Sequence, residues 1–386
     1  METCAAVRGL FWPLSCDHFT EAYWEKRHHL TRNSSVLKNT GLAVGFPALL
    51  RAPDLSAMSE YWTFKVREDH SQAVMLRPNS FSHDVDTFPP GTLLTRALIR
   101  RALASNRTVV LHNVELYWRP IAVLTYALQR HFGVYSQANV YYSPPGLQAA
   151  VHAHQDAQSV FIVQCQGMKR WQLWSPPHRW RLRLNQRGKG GDVAPESELR
   201  EPLGRFDLQP GDVLFVPRGV YHSTSTIDSE VASLHVTVGV ETDTDDWTWL
   251  SLLTEAAETI LGDATLADAT LADATPGGAA AKEHAKERLQ SAQWRDESLR
   301  EALPLSLCRP GGSLETDPFG DGWLAHAKGL WKQHVLADGA QAKLPNGFSK
   351  RLRRALDEGL RKRQDYVARK RKQLLDFFEL SPTAAV

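Results

Sequence analysis

The sequence is short of cysteine, of net charge and of long apolar runs. Its 386 residues include four cysteines and no Cys-x-x-Cys pair, which argues against a zinc cluster and a secreted disulfide framework. The 45 basic and 43 acidic residues leave a formal charge of +2, so no overall field directs the protein to nucleic acid or a membrane. No stretch approaches the roughly 20 apolar residues of a membrane helix, and residues 1–10 lack the apolar region of a signal peptide. We therefore expect a soluble protein of a reducing, intracellular compartment.

The chain is long enough for one catalytic domain and at least one accessory domain. Its pattern predicts a helical cap over residues 1–60, a catalytic domain over 61–245 and a helical domain over 246–386. Near 261–280 the motif Leu-Ala-Asp-Ala-Thr is repeated and followed by Pro-Gly-Gly. A five-residue period matches neither a heptad nor a solenoid, so this segment is predicted to be a flexible insertion.

Short β-rich runs separated by Pro and Gly dominate residues 139–240. These runs are 139–143, 160–165, 170–174, 212–216 and 233–240. Such spacing is typical of an antiparallel double-sheet barrel or jelly roll. The charged, Gly-rich segment 181–198 interrupts the pattern and is predicted to be a long surface loop.

Helical periodicity flanks this β-rich region on both sides. The predicted helices are 93–104, 120–132, 247–261, 282–301 and 348–378, with a short strand at 109–111 and a mixed, mainly helical pattern over 17–50. The fold class is therefore a mainly β core with an N-terminal helical cap and a helical C-terminal domain.

Two short segments carry the residue types of a metal site: His152-Ala-His154-Gln-Asp156, and the run 211–222 that ends in Pro-Arg-Gly-Val-Tyr-His222. Residues two apart on a strand project to the same side, so His154 and Asp156 can reach one metal ion. The turn before His222 follows a buried strand and should return the chain to the barrel mouth. Two imidazoles and one carboxylate suit non-haem Fe(II), because they leave the opposite coordination positions open.

Other ligand sets remain open on the residues alone. His152 and His235 are alternative ligands, to which we assign core or supporting roles. A cupin site with three histidines and a glutamate would place that glutamate near position 158, which is Gln158 here. This difference favours the 2-His-1-carboxylate set.

The surrounding residues resemble the JmjC ribosomal oxygenases, the histidyl-hydroxylase branch of the JmjC family. The resemblance is carried by Asn-Val-Tyr-Tyr-Ser-Pro-Pro-Gly at 139–146, by His154-Gln-Asp156, and by the runs 160–174, 208–222 and 233–239. It implies a JmjC cupin, in which a double-stranded β-helix, or jelly roll, forms the catalytic core.

The resemblance also assigns roles to residues. His154, Asp156 and His222 match the family's iron ligands, and Lys169 matches the lysine that pairs with the distal carboxylate of 2-oxoglutarate. That dicarboxylate would supply the counter-charge a buried lysine requires.

Three further positions concern the cosubstrate pocket. Asn139 and Tyr141 match residues that line it in the family. Relatives usually place a serine where this chain has Gly239, a loss that Thr237, two residues earlier, could offset.

By resemblance the protein is an Fe(II)- and 2-oxoglutarate-dependent dioxygenase that consumes O2. It would hydroxylate a histidine of a ribosomal protein. Histone lysine demethylation, an inactive JmjC scaffold and a cupin enzyme that does not use 2-oxoglutarate remain alternatives. The family further implies a homodimer through the C-terminal helices and a nuclear or nucleolar location, while direct nucleic-acid binding stays open.

Overall fold

A computed structural model describes residues 7–32, 73–77, 85–87, 95–116, 119–175, 199, 201–240, 247–261, 279–292, 295–336, 344 and 346–378. The described strands are β1 (His29–Thr31), β2 (Ala73–Leu76), β3 (Val85–Thr87), β4 (Thr108–Leu111), β5 (Ser136–Ser143), β6 (Val151–His154), β7 (Ser159–Gln166), β8 (Lys169–Trp174), β9 (Pro202–Leu208), β10 (Val213–Val216), β11 (Tyr221–Ser225) and β12 (Ser233–Val240). The described α-helices are α1 (Cys16–Ala22), α2 (Arg96–Ala104), α3 (Arg119–Phe132), α4 (Trp249–Leu261), α5 (Ala279–Ala292), α6 (Leu305–Cys308), α7 (Gly320–His334) and α8 (Phe348–Phe378). Short 3-10 turns lie at Arg8–Leu10, Val114–Leu116 and Glu297–Arg300.

The described strands form two antiparallel sheets. The large sheet has the order β1-β10-β7-β12-β5-β4-β2-β3, and the small sheet has the order β6-β11-β8-β9. Sequence neighbours β6 and β7 therefore lie in different sheets, as do β10 and β11. The chain crosses from one sheet to the other at the loop that carries Asp156 and at the turn before His222, which is the jelly-roll arrangement expected from the sequence.

Strand β7 lies between two apolar cores, one formed with the small sheet and one formed with the helices. Its Val160 and Ile162 pack with Trp171 and Leu173 of the small sheet. The alternate residues, including Phe161, face the opposite way and join the core formed with the helices. Because successive side chains of a strand point to opposite faces, a strand covered on both sides must be apolar throughout.

The inner face of β5 and β12 is polar. Cross-strand pairs place Asn139 opposite Thr237, Tyr141 opposite His235, and Ser143 opposite Ser233. The intervening residues, such as Val140 and Val236, are buried in the core with the helices. The pleat thus separates an apolar outer face from a polar column inside the barrel.

Helix α8 packs against other parts of the same chain through its apolar side. Its Leu352, Leu356, Leu360, Val367 and Leu374 are all buried. Nearby, the Glu255 carboxylate of α4 accepts hydrogen bonds from Lys362 at 2.8 Å and Arg363 at 2.6 Å. The apolar stripe of α8 is therefore occupied within the chain, so a homodimer, which stays a prediction, has to use other surfaces.

Most predicted elements are present with shifted ends, but two predictions were wrong. Residues 29–31 form an edge strand on β10 rather than a helix, because pairing with an open sheet edge outweighs local helical preference. The helix predicted over 282–301 ends at Ala292 and is followed by a 3-10 turn at 297–300, which Asp296 caps by accepting from the Ser298 N–H. The predicted loop 181–198 and the Leu-Ala-Asp-Ala-Thr repeats after Leu261 lie outside the described residues.

Two further features concern the cysteines and membranes. Cys165 and Cys308 are free and buried, whereas Cys16 is disulfide-bonded, which the sequence did not lead us to expect. Of the helices that the structure describes, none combines the length and the apolar character needed to cross a membrane.

The hairpin that introduces Lys169 depends on a glycine. Gly167 has φ +61°, and a Cβ there would lie 2.6 Å from the carbonyl oxygen of Ala232. We expect Gly167→Ala to lower the free energy of unfolding by about 2–3 kcal/mol, through strain and overlap together. Urea denaturation at pH 7 measures this loss.

Gly146→Ala is the matched control, since Gly146 also has positive φ, +77°, but has nothing within 4 Å of the added Cβ. It should cost only about 1 kcal/mol. Equal losses in the two variants would contradict a role for the Ala232 contact.

Candidate metal centre

Neighbouring strands of the small sheet deliver the two candidate imidazole ligands. His154 is the last residue of β6, and His222 is the second residue of β11, directly opposite it in the antiparallel register. Asp156 lies two residues beyond the end of β6, in the loop that leads to β7. Strand pairing therefore places the histidines, and a loop places the carboxylate.

The three side chains converge. His222 Nε2 lies 3.5 Å from Asp156 Oδ2, and His154 Nε2 lies 3.9 Å from Asp156 Oδ1. One ligand atom from each residue falls within 4.8 Å of the other two, and among the described residues this is the group that could hold a metal ion. Donor atoms of one metal ion lie about 2.0–2.2 Å from it, so the spacing is close to that of a shared ligand set.

The ring of His222 is held by a backbone hydrogen bond. Its Nδ1 donates to the carbonyl oxygen of Val220 at 3.0 Å. This bond selects the tautomer with the lone pair on Nε2, the nitrogen that faces Asp156. Burial of the His222 side chain, which is 3% exposed, further restricts the ring.

Backbone contacts also hold the loop that carries Asp156. The Gly219 N–H donates to the Asp156 carbonyl oxygen at 2.9 Å. The side-chain amide of Gln155 donates through Nε2 to the Gly219 carbonyl oxygen at 2.7 Å. The turn before β11 and the loop after β6 are thus joined directly.

Lys169 is fully buried between the two sheets. Its Nζ donates to Ser143 Oγ at 2.9 Å, and Ser143 Oγ lies 3.0 Å from the donating Thr108 hydroxyl. Burial lowers the pKa of Lys169 to about 7, since no water stabilises the ammonium. An anionic ligand beside Nζ would restore the charged form.

The structure places the other predicted pocket residues on the inner face of the large sheet. Asn139 Oδ1 accepts from the backbone N–H of Asn113 at 3.2 Å, which fixes the orientation of its amide. Tyr141 stacks on His235 with ring centroids 4.9 Å apart. Thr237 is paired with Asn139 across the strands and is 8% exposed.

His235 is not part of the ligand group. It is buried against Tyr141 and lies edge-on to Trp171, with centroids 5.6 Å apart. Burial, and then the charge of Lys169, hold its pKa well below the usual value, so the imidazole is neutral. The side chain of His152, the other alternative, lies outside the described part of the chain.

The space beside Gly239 is filled by another side chain. A Cβ at Gly239 would lie 2.6 Å from the amide nitrogen of Gln158. Gln158 also accepts a hydrogen bond from Gln137 at 3.4 Å. The position of the missing serine is thus occupied by an amide group rather than left open.

Sequence reasoning did not find Ser143, which contacts Lys169, or Thr108, which contacts Ser143. Ser143 could have been found, because it continues the alternation of Asn139 and Tyr141 along one strand face. Thr108 lies on β4, and its contact with Ser143 depends on the pairing of strands far apart in sequence.

Residues 115–246 match the family model of the JmjC domain. This segment is a JmjC domain. It includes all strands from β5 to β12, and therefore the three converging side chains and Lys169.

The chain is also similar to named proteins. The bifunctional lysine-specific demethylase and histidyl-hydroxylase NO66 of Drosophila mojavensis is 32% identical over 165 residues, 41% of this chain and 18% of that protein. Ribosomal oxygenase 2 of Bos taurus is 24% identical over 233 residues, 58% of this chain and 45% of that protein. The chain thus spans less than half the length of either relative.

Among solved structures, the Escherichia coli ribosomal oxygenase YcfD in complex with cobalt and 2-oxoglutarate aligns with a TM-score of 0.38 at 19% identity. The alignment covers 74% of this chain and 68% of that chain.

Proposed function

We propose that this protein is an Fe(II)- and 2-oxoglutarate-dependent protein hydroxylase. The observation that carries the proposal is the convergence of His154, Asp156 and His222 at one end of a barrel that buries Lys169. A buried lysine facing other polar groups rather than a carboxylate has an unfavourable free energy unless a ligand brings negative charge. The JmjC domain match supports the same reading.

In this proposal each residue has a separate task. His154, Asp156 and His222 would hold Fe(II), and a set of two imidazoles and one carboxylate leaves further coordination positions open. When bound, the ion and 2-oxoglutarate together supply the oxidising power for hydroxylation of a C–H bond. The protein fixes the positions of the reactants and keeps bulk water away.

Lys169 and the metal ligand His222 lie on neighbouring strands of the small sheet. Lys169 precedes Leu173 by four residues on β8, and Leu173 lies opposite His222. At about 3.3 Å per residue, the two backbone positions are about 13 Å apart along the strand. The Lys169 ammonium contacts Ser143 of the facing sheet, so it lies inside the same barrel as the metal ligands.

For the substrate, we propose a histidine of a ribosomal protein. The support is that two relatives are named as a histidyl-hydroxylase and a ribosomal oxygenase. The name of the first relative also includes a lysine-specific demethylase, so histone lysine demethylation is an outcome that the test must separate. Homodimerisation and a nuclear location stay predictions.

The reaction type is tested by titrating the protein with Fe(II) and then 2-oxoglutarate without oxygen. We expect a weak visible charge-transfer band, followed by succinate when air is admitted. Iron binding without the band or succinate would indicate a cupin enzyme of another class. Absence of both iron binding and succinate would indicate an inactive scaffold.

The substrate is tested by mass spectrometry of ribosomal proteins from cells with and without the gene. We expect one histidine to lose the mass of a single oxygen atom when the gene is deleted. If deletion of the gene leaves the ribosomal proteins unchanged and increases histone lysine methylation, the substrate is a histone instead.

Gly239→Ser tests whether the missing hydroxyl weakens the pocket. We expect it to be tolerated, with stability changed by less than about 1 kcal/mol, because the contact is the flexible end of Gln158. The affinity for 2-oxoglutarate, measured by calorimetry on metal-loaded protein, should change less than about tenfold. A much larger gain would show that Gln158 does not compensate for the serine.

A further inference from the structure

A buried arginine lies in the turn that precedes β11 and its ligand His222. Arg218 stands between Pro217 and Gly219, and its side chain is 1% exposed. Removing a guanidinium from water is unfavourable unless charged and polar groups surround it. The partners of Arg218 therefore indicate what holds this turn in place.

Arg218 contacts segments on both flanks of the JmjC domain. Its Nε donates to Glu25 Oε2 at 2.5 Å, in the segment that follows α1. Its Nη2 donates to the carbonyl oxygen of Arg300 at 2.5 Å, at the end of a 3-10 turn in the C-terminal region. One side chain thus joins the turn to the N-terminal and C-terminal parts of the chain.

Ser159 extends this group to the loop that carries Asp156. The Ser159 hydroxyl donates to Glu25 Oε1 at 2.7 Å and accepts the backbone N–H of Arg218 at 3.2 Å. Ser159 begins β7, three residues after Asp156. The Glu25 carboxylate therefore fixes the turn before His222 and the strand after Asp156 together.

The two ligands are coupled to the same turn. Gly219 donates to the Asp156 backbone, and Val220 accepts from the ring of His222. A shift of the turn would therefore change the position of Asp156 relative to His222. Because metal affinity depends on ligand spacing, this change should be seen in metal binding.

We propose that Glu25, Arg218 and Ser159 are positioning residues that set the spacing of the metal ligands Asp156 and His222. This inference rests on the proposed metal site, although none of the three belongs to the ligand group. It assigns to the N-terminal segment a role in the metal centre, rather than only that of a covering cap.

The test is a titration of the full chain with Mn(II). Electron paramagnetic resonance measures the concentration of the free ion. Ser159→Ala removes a single hydroxyl and is the mildest change. Glu25→Gln removes the charge that both partners share. We expect the dissociation constant for Mn(II) to rise severalfold in Ser159→Ala and about tenfold or more in Glu25→Gln.

A double variant separates positioning from general stability. Glu25→Gln takes a carboxylate away from the buried Arg218 guanidinium, which destabilises the fold. Glu25→Gln with Arg218→Met removes both charges, so its melting temperature should recover. Its Mn(II) affinity should stay weak, and the ligand-field spectrum of bound Co(II) should differ from that of the wild type, because the turn has lost its anchor.

Glu255→Gln is the matched control, since it breaks the pairs with Lys362 and Arg363 between α4 and α8. It should lower stability without changing Mn(II) affinity. Unchanged affinity in Ser159→Ala and Glu25→Gln, or full recovery in the double variant, would overturn the inference while the metal site stands. A wild-type protein that binds no Mn(II) would overturn the proposed function and this inference with it.

Discussion

Asp156→Asn should abolish 2-oxoglutarate turnover. The substitution keeps the size of the side chain but removes the only carboxylate of the three-residue ligand group. A neutral amide is a much weaker ligand for a divalent ion, so metal affinity should fall by more than about 100-fold, beyond what loss of a supporting residue costs. Succinate formation and Mn(II) titration measure the two effects.

Asp296→Asn is the control for this change. Asp296 also pairs with a histidine, His334, with 2.7 Å between His334 Nε2 and Asp296 Oδ2, but in the C-terminal helical region. Its loss should lower stability and leave succinate formation intact. If Asp156→Asn kept wild-type turnover and metal affinity, the assignment of Asp156 as a ligand would be wrong.

Lys169→Met should raise the dissociation constant for 2-oxoglutarate by about 100-fold, because it removes the buried positive charge proposed to face the distal carboxylate. The same change should not harm the fold. A buried ammonium with a pKa near 7 is unfavourable in the ligand-free protein, so stability should rise by roughly 1 kcal/mol. Calorimetry on metal-saturated protein and thermal unfolding separate the two results.

The pH dependence gives a second measurement of the same residue. Since burial lowers the pKa of Lys169 to about 7, the ammonium is fully present below that pH and is lost as pH rises through it. The wild-type affinity for 2-oxoglutarate should therefore decrease above pH 7, by up to about tenfold per unit. In Lys169→Met the affinity for 2-oxoglutarate should be weak, and it should not decrease in this way above pH 7.

The contribution of Lys169 to the free energy of unfolding changes with pH in the opposite direction. The folded pKa of Lys169 lies below its ordinary value of 10.5, so the unfolded chain binds more protons between about pH 7 and 10.5. This residue's contribution to the free energy of unfolding therefore increases with pH in that window. Lys362→Met, at a site whose side chain is 58% exposed, should alter neither 2-oxoglutarate affinity nor its pH dependence.

Local patterns were sufficient for much of the fold. The helix at 348–378 and the strand at 233–240 were predicted with the ends that the structure has, because apolar spacing and flanking polar residues mark them. The edge strand at 29–31 was missed, since three residues carry too little periodicity and their pairing partner is β10, far along the chain. The same limitation hid the short strands β2 and β3.

The sequence by itself determined the chemical inventory of the site: two histidines, one aspartate and one lysine in motifs whose turns and strand alternation are local properties. Only the tertiary structure decided which histidines meet, because His154 and His222 become neighbours through strand pairing rather than spacing. It also decided that Lys169 is buried beside Ser143 and that Arg218 connects Glu25 to the ligand turn. Such contacts join residues far apart in the chain, and their strength comes from burial, which no local pattern specifies.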